Sequence, residues 1–136
     1  MALELGDVQS GAETETQSSN DGSAAVGDAI ALDTDTQNWD QAINNDGSRA
    51  IPHGVELGAI SSNNANSTLL SGRVVANVVS NVLEGQELNS SGTAGRFGNV
   101  SSASETGVAT ALSDEGGTYQ GESVPSNAAV IYFRGG

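Results

Sequence analysis

The stretch LLSGRVVANVVSNVLEGQEL, Leu69 to Leu88, is the most apolar part of the chain, and its reading decides the fold class. Val74, Val75, Val78, Val79, Val82 and Leu83 recur at the spacing of a helical stripe. Five of these six are valines, whose branching at Cβ disfavours helix, and Asn77, Ser80 and Asn81 are poor helix formers. Gly72 and Gly85 bracket the run. Periodicity favours a helix and propensity favours strands. The rest of the chain arbitrates: almost nothing else in it reads as helical, and one isolated helix of Val and Asn would be weak. GRVVANVV (72–79) is therefore read as a strand, SNVLEG (80–85) as a turn and QEL (86–88) as the start of another strand, with room for a single helical turn near Ser80 to Leu83.

Working outward, VGDAIAL (26–32), HGVELGAI (53–60), TGVATAL (106–112) and NAAVIYF (127–133) are strand-like, VGDAIAL alternating apolar with small or polar residues as a half-buried strand does. Asn45-Asp46-Gly47 is a tight-turn signal, and Ser91-Gly92 marks a hairpin. SSNNANS (61–67) and SDEGGTYQGES (113–123) read as loops, as does the long acidic segment from Asp33 to Pro52. Short strands with turn signals at this spacing predict an all-β domain over residues 24–136, a small β-barrel or β-sandwich. A weak internal echo points the same way: Gly27, Gly54 and Val74 correspond in order to Gly85, Gly107 and Val130, as two similar three-strand units would.

The totals limit the function. The chain has 136 residues, enough for one domain. Seventeen acidic residues face four arginines (Arg49, Arg73, Arg96 and Arg134) and no lysine, for a formal charge of -13. Such a chain repels phosphate backbones and anionic membranes, so neither nucleic acid nor membrane is an expected partner. There is no cysteine, hence no disulfide, thiolate nucleophile or cysteine-ligated zinc. No apolar run is long enough to span a bilayer, and the first residues lack the basic and apolar segments of a secretory signal. Acidity without lysine suggests adaptation to molar salt, where screening acts within about 3 Å and carboxylates repel one another little.

Residues 1–23 form a distinct segment. After Leu3, Leu5 and Val8 nothing larger than alanine is apolar until Val26. SGAETETQSSNDGS (10–23) buries too little surface to offset its ordering entropy, so the segment is expected to be a flexible arm with an apolar tip at Leu3, Leu5 and Val8.

Candidates for chemistry are few. His53, the only histidine, follows Pro52 and precedes a strand, which reads as a surface loop position rather than a base or ligand. Asp33, Asp35 and Asp40 resemble the start of a calcium loop, but Gln37 and Asn38 stand where a third ligand and a glycine are needed. GTAGRFG (92–98) lacks the Gly-Lys-Ser/Thr ending of a phosphate loop. Glycosylation sequons at Asn66, Asn89 and Asn99 are expected by chance in a chain so rich in Asn, Ser and Thr. No catalytic, cofactor-binding or metal-binding residue is expected. Tyr132 and Phe133 must face opposite sides of the last strand. One serves the core; Phe133, together with Trp39 in the acidic loop, is the candidate interface residue, Trp39 being equally suited to fill the end of a barrel.

The order of these pieces resembles the capsid decoration, or cement, proteins of tailed viruses. The motifs carrying the resemblance are a GD-x-h-x-L strand, here Gly27 to Leu32; a GV-x-x-x-A strand, Gly54 to Ala59; a G-x-V strand, Gly72 to Val74; an h-x-x-G-x-x-L turn and strand, Val82 to Leu88; a second GV strand, Gly107 to Leu112; and a terminal strand, Val130 to Phe133. The similarity spans roughly residues 24 to 134. It implies a β-tulip-like barrel with an extended arm and a non-enzymatic role without cofactors. Trimers would bind the major capsid protein on the outer surface of an icosahedral virion and stabilise the shell, with the arm at Leu3, Leu5 and Val8 lying on a capsid subunit. Combined with the composition, it implies a virus of haloarchaea. The competing reading is another virion component, such as a turret, fibre base or tail part. An enzyme would call for clustered His, Lys, Cys or paired carboxylates.

Overall fold

The computed structural model describes residues 2–9, 12–17, 24–59, 66–100 and 106–135. Of the loop expected at 61–67, residues 61–65 lie outside the described residues, and Asn66 and Ser67 are not loop but the start of a strand; residues 1, 10, 11 and 18–23 of the expected arm also lie outside the described residues. The chain is all-β, as its composition and turn signals predict, with no helix among the described residues. Its strands are β1 (Glu13–Gln17), β2 (Ala29–Leu32), β3 (Trp39–Gln41), β4 (Gly54–Ala59), β5 (Asn66–Asn77), β6 (Glu87–Ser90), β7 (Phe97–Asn99), β8 (Ala109–Ala111), β9 (Thr118–Tyr119), β10 (Glu122–Ser123) and β11 (Ala128–Phe133). The main sheet runs β3-β2-β4-β5-β11-β8-β6-β7, with β1 added to β5 and β9–β10 as a separate hairpin. Every pairing of these strands is antiparallel.

The deciding stretch is indeed strand, then turn, then strand. Leu69 to Asn77 belong to β5, Val78 bridges to Phe97, and turns at 80–81 and 84–85 lead into β6. The helical stripe has another cause. Adjacent Val74 and Val75 point to opposite faces of β5, and both are fully buried. Val74 joins the main core with Leu69, Leu88, Phe97, Ile131 and Phe133. Val75 joins a second core with Leu3, Val124, Ala128 and Val130. A strand covered on both faces does not alternate.

The strand order has an internal symmetry, β3-β2-β4-β5 being mirrored by β7-β6-β8-β11 about the central β5–β11 pair. Hydrogen bonds give the correspondence residue by residue. Ile30 pairs with Gln41 and Leu32 with Trp39 in the first hairpin; Leu88 pairs with Asn99 and Ser90 with Phe97 in the second. The Asp33 amide bonds Asn38 O as the Ser91 amide bonds Arg96 O, and Ala42 bonds Ala29 as Val100 bonds Glu87. The offset is constant across both hairpins, carrying Gly27 (φ 91°) onto Gly85 (φ 92°). For β4 and β8, Glu56 donates to Asp28 O as Ala111 donates to Gln86 O, and His53 to Ile30 O as Val108 to Leu88 O. This corrects the sequence echo: Gly54 corresponds to Ala109, two residues beyond Gly107. It also displaces Val74 and Val130, since Val55 opposite Leu69 matches Thr110 opposite Tyr132.

The two halves differ in their inner strands. β5 is twice the length of β11, twelve residues against six. It curls at Gly72 (φ 125°). The curl is visible in Gly27, whose amide donates to Glu56, the partner of Thr68, while its carbonyl accepts from Asn77. Residues nine apart on one strand are thus tied to one glycine.

The N-terminal segment lies along this long strand, which corrects the expectation of a free arm for residues 2–9 and 12–17. Gly6 donates to Val75 O, Val75 to Asp7 O and Gln9 to Arg73 O. Ala12 passes directly over Gly72, where any Cβ would stand 2.6 Å from its Cα. β1 then pairs with β5 from Ser71 to Asn66, where a longer β11 would have continued. Composition misled because it counts side-chain burial only. The edges of β5 carry amides and carbonyls that need partners, and the segment's backbone supplies them.

Candidate functional site

The structure separates the residues singled out in the sequence. Leu3 is buried in the second core and its amide donates to Ser123 O; Leu5 packs beside it, half-buried. Val8 is 42% exposed, at its bridge to Val74. The three do not form one apolar tip. Trp39 is buried, with its ring edge-on to His53 at 6.2 Å, and fills the end of the first hairpin. Phe133 is fully buried against Phe97. Neither Trp39 nor Phe133 offers an interface. The alternation of β11 puts Ile131 and Phe133 inside, opposite Ala111 and Ala109. Tyr132, between them, is 43% exposed and faces Arg73 on one side and Thr110 on the other.

The region with the geometry of a contact site lies where the two hairpins meet. The loop after β3 is fixed to the loop after β6 by backbone bonds: Asn44 to Ser91, Gly95 to Ala42 and Ala29 to Gly95. The Ser90 hydroxyl donates to Ala50 O. Beneath the junction, buried Asp28 accepts from Gln41 Nε2 (2.8 Å), Asn77 Nδ2 (2.6 Å) and the Ala25 amide (2.9 Å). These donors satisfy a carboxylate that burial would otherwise destabilise. Gly95 is required there, because a Cβ would stand 2.8 Å from the Asp28 carboxylate.

Over this frame opens a cleft of about 510 Å³ lined by Asn44, Ala50, Ile51, Asn89, Ser90, Thr106, Gly107, Val108 and Gly135. Ile51 is 53% exposed at its rim. Asn89 cannot offer its amide freely, since Nδ2 donates to Thr106 O at 2.7 Å. Among the described residues the lining is mostly apolar and carries no charged side chain, so the cleft suits shape-matched apolar contact. Nothing in the sequence marks Ile51 except its being the one large aliphatic residue between Ile43 and Val55.

The flank of the cleft is acidic. Arg49 bridges Asp40 (2.7 Å) and Asp46 (3.2 Å) in the loop that carries Ile51, and Asp46 also closes the turn expected at Asn45 to Gly47. Hydrogen bonds from Ser48, side chain first and then amide, hold the Asp46 carboxyl below its ordinary range, with a smaller contribution from Arg49. Asp33 caps its own turn through the Asp35 amide. His53 accepts the Leu32 amide on Nδ1 at 3.0 Å, and burial lowers its pKa. It is a neutral structural acceptor at pH 7. On the second half, a hydrogen bond from Thr110 and then the Arg134 ion pair lower the Glu87 carboxyl. No group of three or more potential metal ligands occurs among the described residues.

No family model matches the chain, and no curated protein matches it.

Proposed function

We propose that this protein is a structural component of a virion surface, a capsid decoration protein that binds the outside of an icosahedral shell and stabilises it. The order of strand motifs supports this reading, as does the lysine-free acidic composition suited to a virus of a halophilic host. The observation that carries it is the apolar cleft at Ile51, where the loop after the first hairpin is hydrogen-bonded to the second hairpin on an otherwise acidic body. Exposed apolar surface on a rigid scaffold is a feature of protein-binding sites. In molar salt such contacts persist where ion pairs are screened. The capsid contact is thereby moved from the expected N-terminal arm, Trp39 and Phe133 to the face around Ile51.

The test is co-sedimentation with undecorated capsids of a haloarchaeal tailed virus in molar salt. Saturable binding by the wild type is expected, with loss of at least ten-fold in affinity for Ile51→Asp at an unchanged circular dichroism spectrum. A folded wild-type chain that fails to bind would overturn the decoration reading. Truncating the N-terminal segment is not a usable test, because the segment supplies part of the sheet.

A further inference from the structure

Arg73 stands apart from the other cations of the chain. Of the four arginines, Arg49 bridges Asp40 and Asp46, Arg134 pairs with Glu87, and Arg96 donates to the carbonyls of Val78 and Asn127. Arg73 forms no ion pair among the described residues, in a chain whose acids outnumber its arginines seventeen to four. Its side chain donates through Nη1 to the Tyr119 hydroxyl at 3.2 Å. We propose that Arg73, Tyr119 and Tyr132 form a binding site for a sugar acid, its carboxylate held by Arg73 and Tyr119 and its ring lying on Tyr132. The site shares no residue with the cleft at Ile51, and the inference is independent of the capsid reading.

Three observations carry it. First, the side chains meet on one face. Val75 pairs with Val130, and Arg73 pairs with Tyr132 two residues further along the same strands, so all four point the same way. Val75 and Val130 belong to the second core, and Tyr119 packs against that core from the β9–β10 hairpin. Arg73, half-buried, and Tyr132, 43% exposed, stand at its margin. Second, the groups that converge there are donors. The Tyr119 oxygen accepts from Arg73 Nη1 and, at 3.5 Å, from Gln120 Nε2, while its own hydrogen meets no acceptor among the described residues. The remaining N–H groups of the Arg73 side chain make no hydrogen bond among them either. Glu122, opposite Tyr119 in the hairpin, bonds neither group. Guanidinium and phenol donors without an acceptor suit an oxyanion, and the planar fork of arginine matches a carboxylate. One positive charge on a body of charge -13 selects a singly charged carboxylate over a phosphate, whose second charge that body repels. Third, the exposed ring of Tyr132 is bordered by polar groups. Thr110 faces it from β8 and donates its hydroxyl to Glu87 Oε2 at 2.6 Å, and Glu87 is neutralised by Arg134. An aromatic face with such a border suits a ligand that has apolar C–H faces and hydroxyls at its edge, which a sugar has and a simple aliphatic acid lacks. Neighbouring strands lie about 4.8 Å apart, so a carboxylate at Arg73 places the ring that carries it over Tyr132.

The test is titration of the intact chain with sodium glucuronate at constant ionic strength, followed by NMR of the backbone amides, with acetate and glucose as reference ligands. Saturable shifts at Arg73, Tyr119 and Tyr132 are expected with glucuronate, at an affinity about ten-fold above that of either reference. Arg73→Gln should abolish them. Tyr119→Phe keeps the ring in the second core and removes only the hydroxyl, and it should weaken binding several-fold with the fold intact. Glu122→Gln, which removes a neighbouring negative charge, should tighten binding. Tyr132→Ala should lower glucuronate to the level of acetate. Absence of saturable shifts, or shifts that survive Arg73→Gln, would overturn the site. Acetate binding as tightly as glucuronate, with no effect of Tyr132→Ala, would mean a plain anion site and overturn the sugar reading. Glucose binding as tightly as glucuronate would overturn the part given to Arg73.

Discussion

The two hairpins share one backbone and differ in what they carry. The first, 29–42, and the second, 87–100, share the same ladder register, yet the second places Phe97 inside against Phe133 while the first places Trp39 at the barrel end against His53. The loop of the first is acidic, with Asp33 and Asp35; that of the second, Ser91 to Arg96, is neutral apart from Arg96, which donates to Val78 O and Asn127 O. The matched bonds build the barrel. The unmatched parts are where surface chemistry can vary without disturbing it, and the cleft at Ile51 draws on the loop that follows the first hairpin, on β6 of the second and on the segment that leads into β8.

The largest departure from symmetry gives the largest expected effect. Deleting residues 1–17 leaves β5 without partners for Arg73 and Val75 and uncovers the second core. Burial of Leu3 alone is worth about 1.5–3 kcal/mol, and the unpaired backbone adds to it. Loss of the cooperative transition in thermal denaturation is expected. An unchanged midpoint would mean that the halves stand alone.

The matched aromatic positions come next. Phe97→Ala is expected to destabilise by about 3–5 kcal/mol, since Phe97 is fully enclosed. Trp39→Ala should be milder, about 2–3 kcal/mol, because the barrel end can close over part of the gap. Urea denaturation of the pair decides, and an equal loss would show that both hairpins are core in the same sense.

The matched glycines follow. Alanine at Gly85 meets open space and has only the positive-φ penalty, about 1 kcal/mol. Alanine at Gly27 has the same penalty and also a Cβ 2.8 Å from Leu5 Cδ2. It is expected to destabilise more, by about 1 kcal/mol further. Replacing Leu5 with Ala should close that difference.

The smallest effect is that of pH on the first hairpin. His53 has a depressed pKa in the folded chain, so the unfolded chain binds the proton more readily. The associated stability is present above the ordinary histidine value of about 6.5 and is lost as pH falls through the lowered folded value. His53→Asn should remove that slope between pH 7.5 and 5. The depressed carboxyls of Asp46 and Glu87 act in the same direction at lower pH, below the ordinary carboxylate range.

The fold class was legible because turn residues and β-branched runs are local signals. Asn45-Asp46-Gly47 and Ser91-Gly92 both mark turns, and the valines of β5 outweighed a misleading periodicity. β3, β9 and β10 were not legible because two or three residues such as Trp39-Asp40-Gln41 show no alternation. The docking of β1 was illegible for a different reason: backbone pairing leaves no trace in side-chain composition. The cleft was hidden because its lining comes from segments far apart in sequence, and only the register of β11 decided that Tyr132, not Phe133, faces out.

Amide hydrogen exchange by NMR on the intact chain tests the central claim, that two matched halves are completed by the N-terminal segment. The account predicts slow exchange in pairs, Gly27 with Gly85, Ala42 with Val100 and Glu56 with Ala111, and equally at Leu3, Gly6, Gln9 and Val75. Protection of the pairs with free exchange at Gly6, Gln9 and Val75 would contradict it, leaving a curled sheet that stands without its first strand.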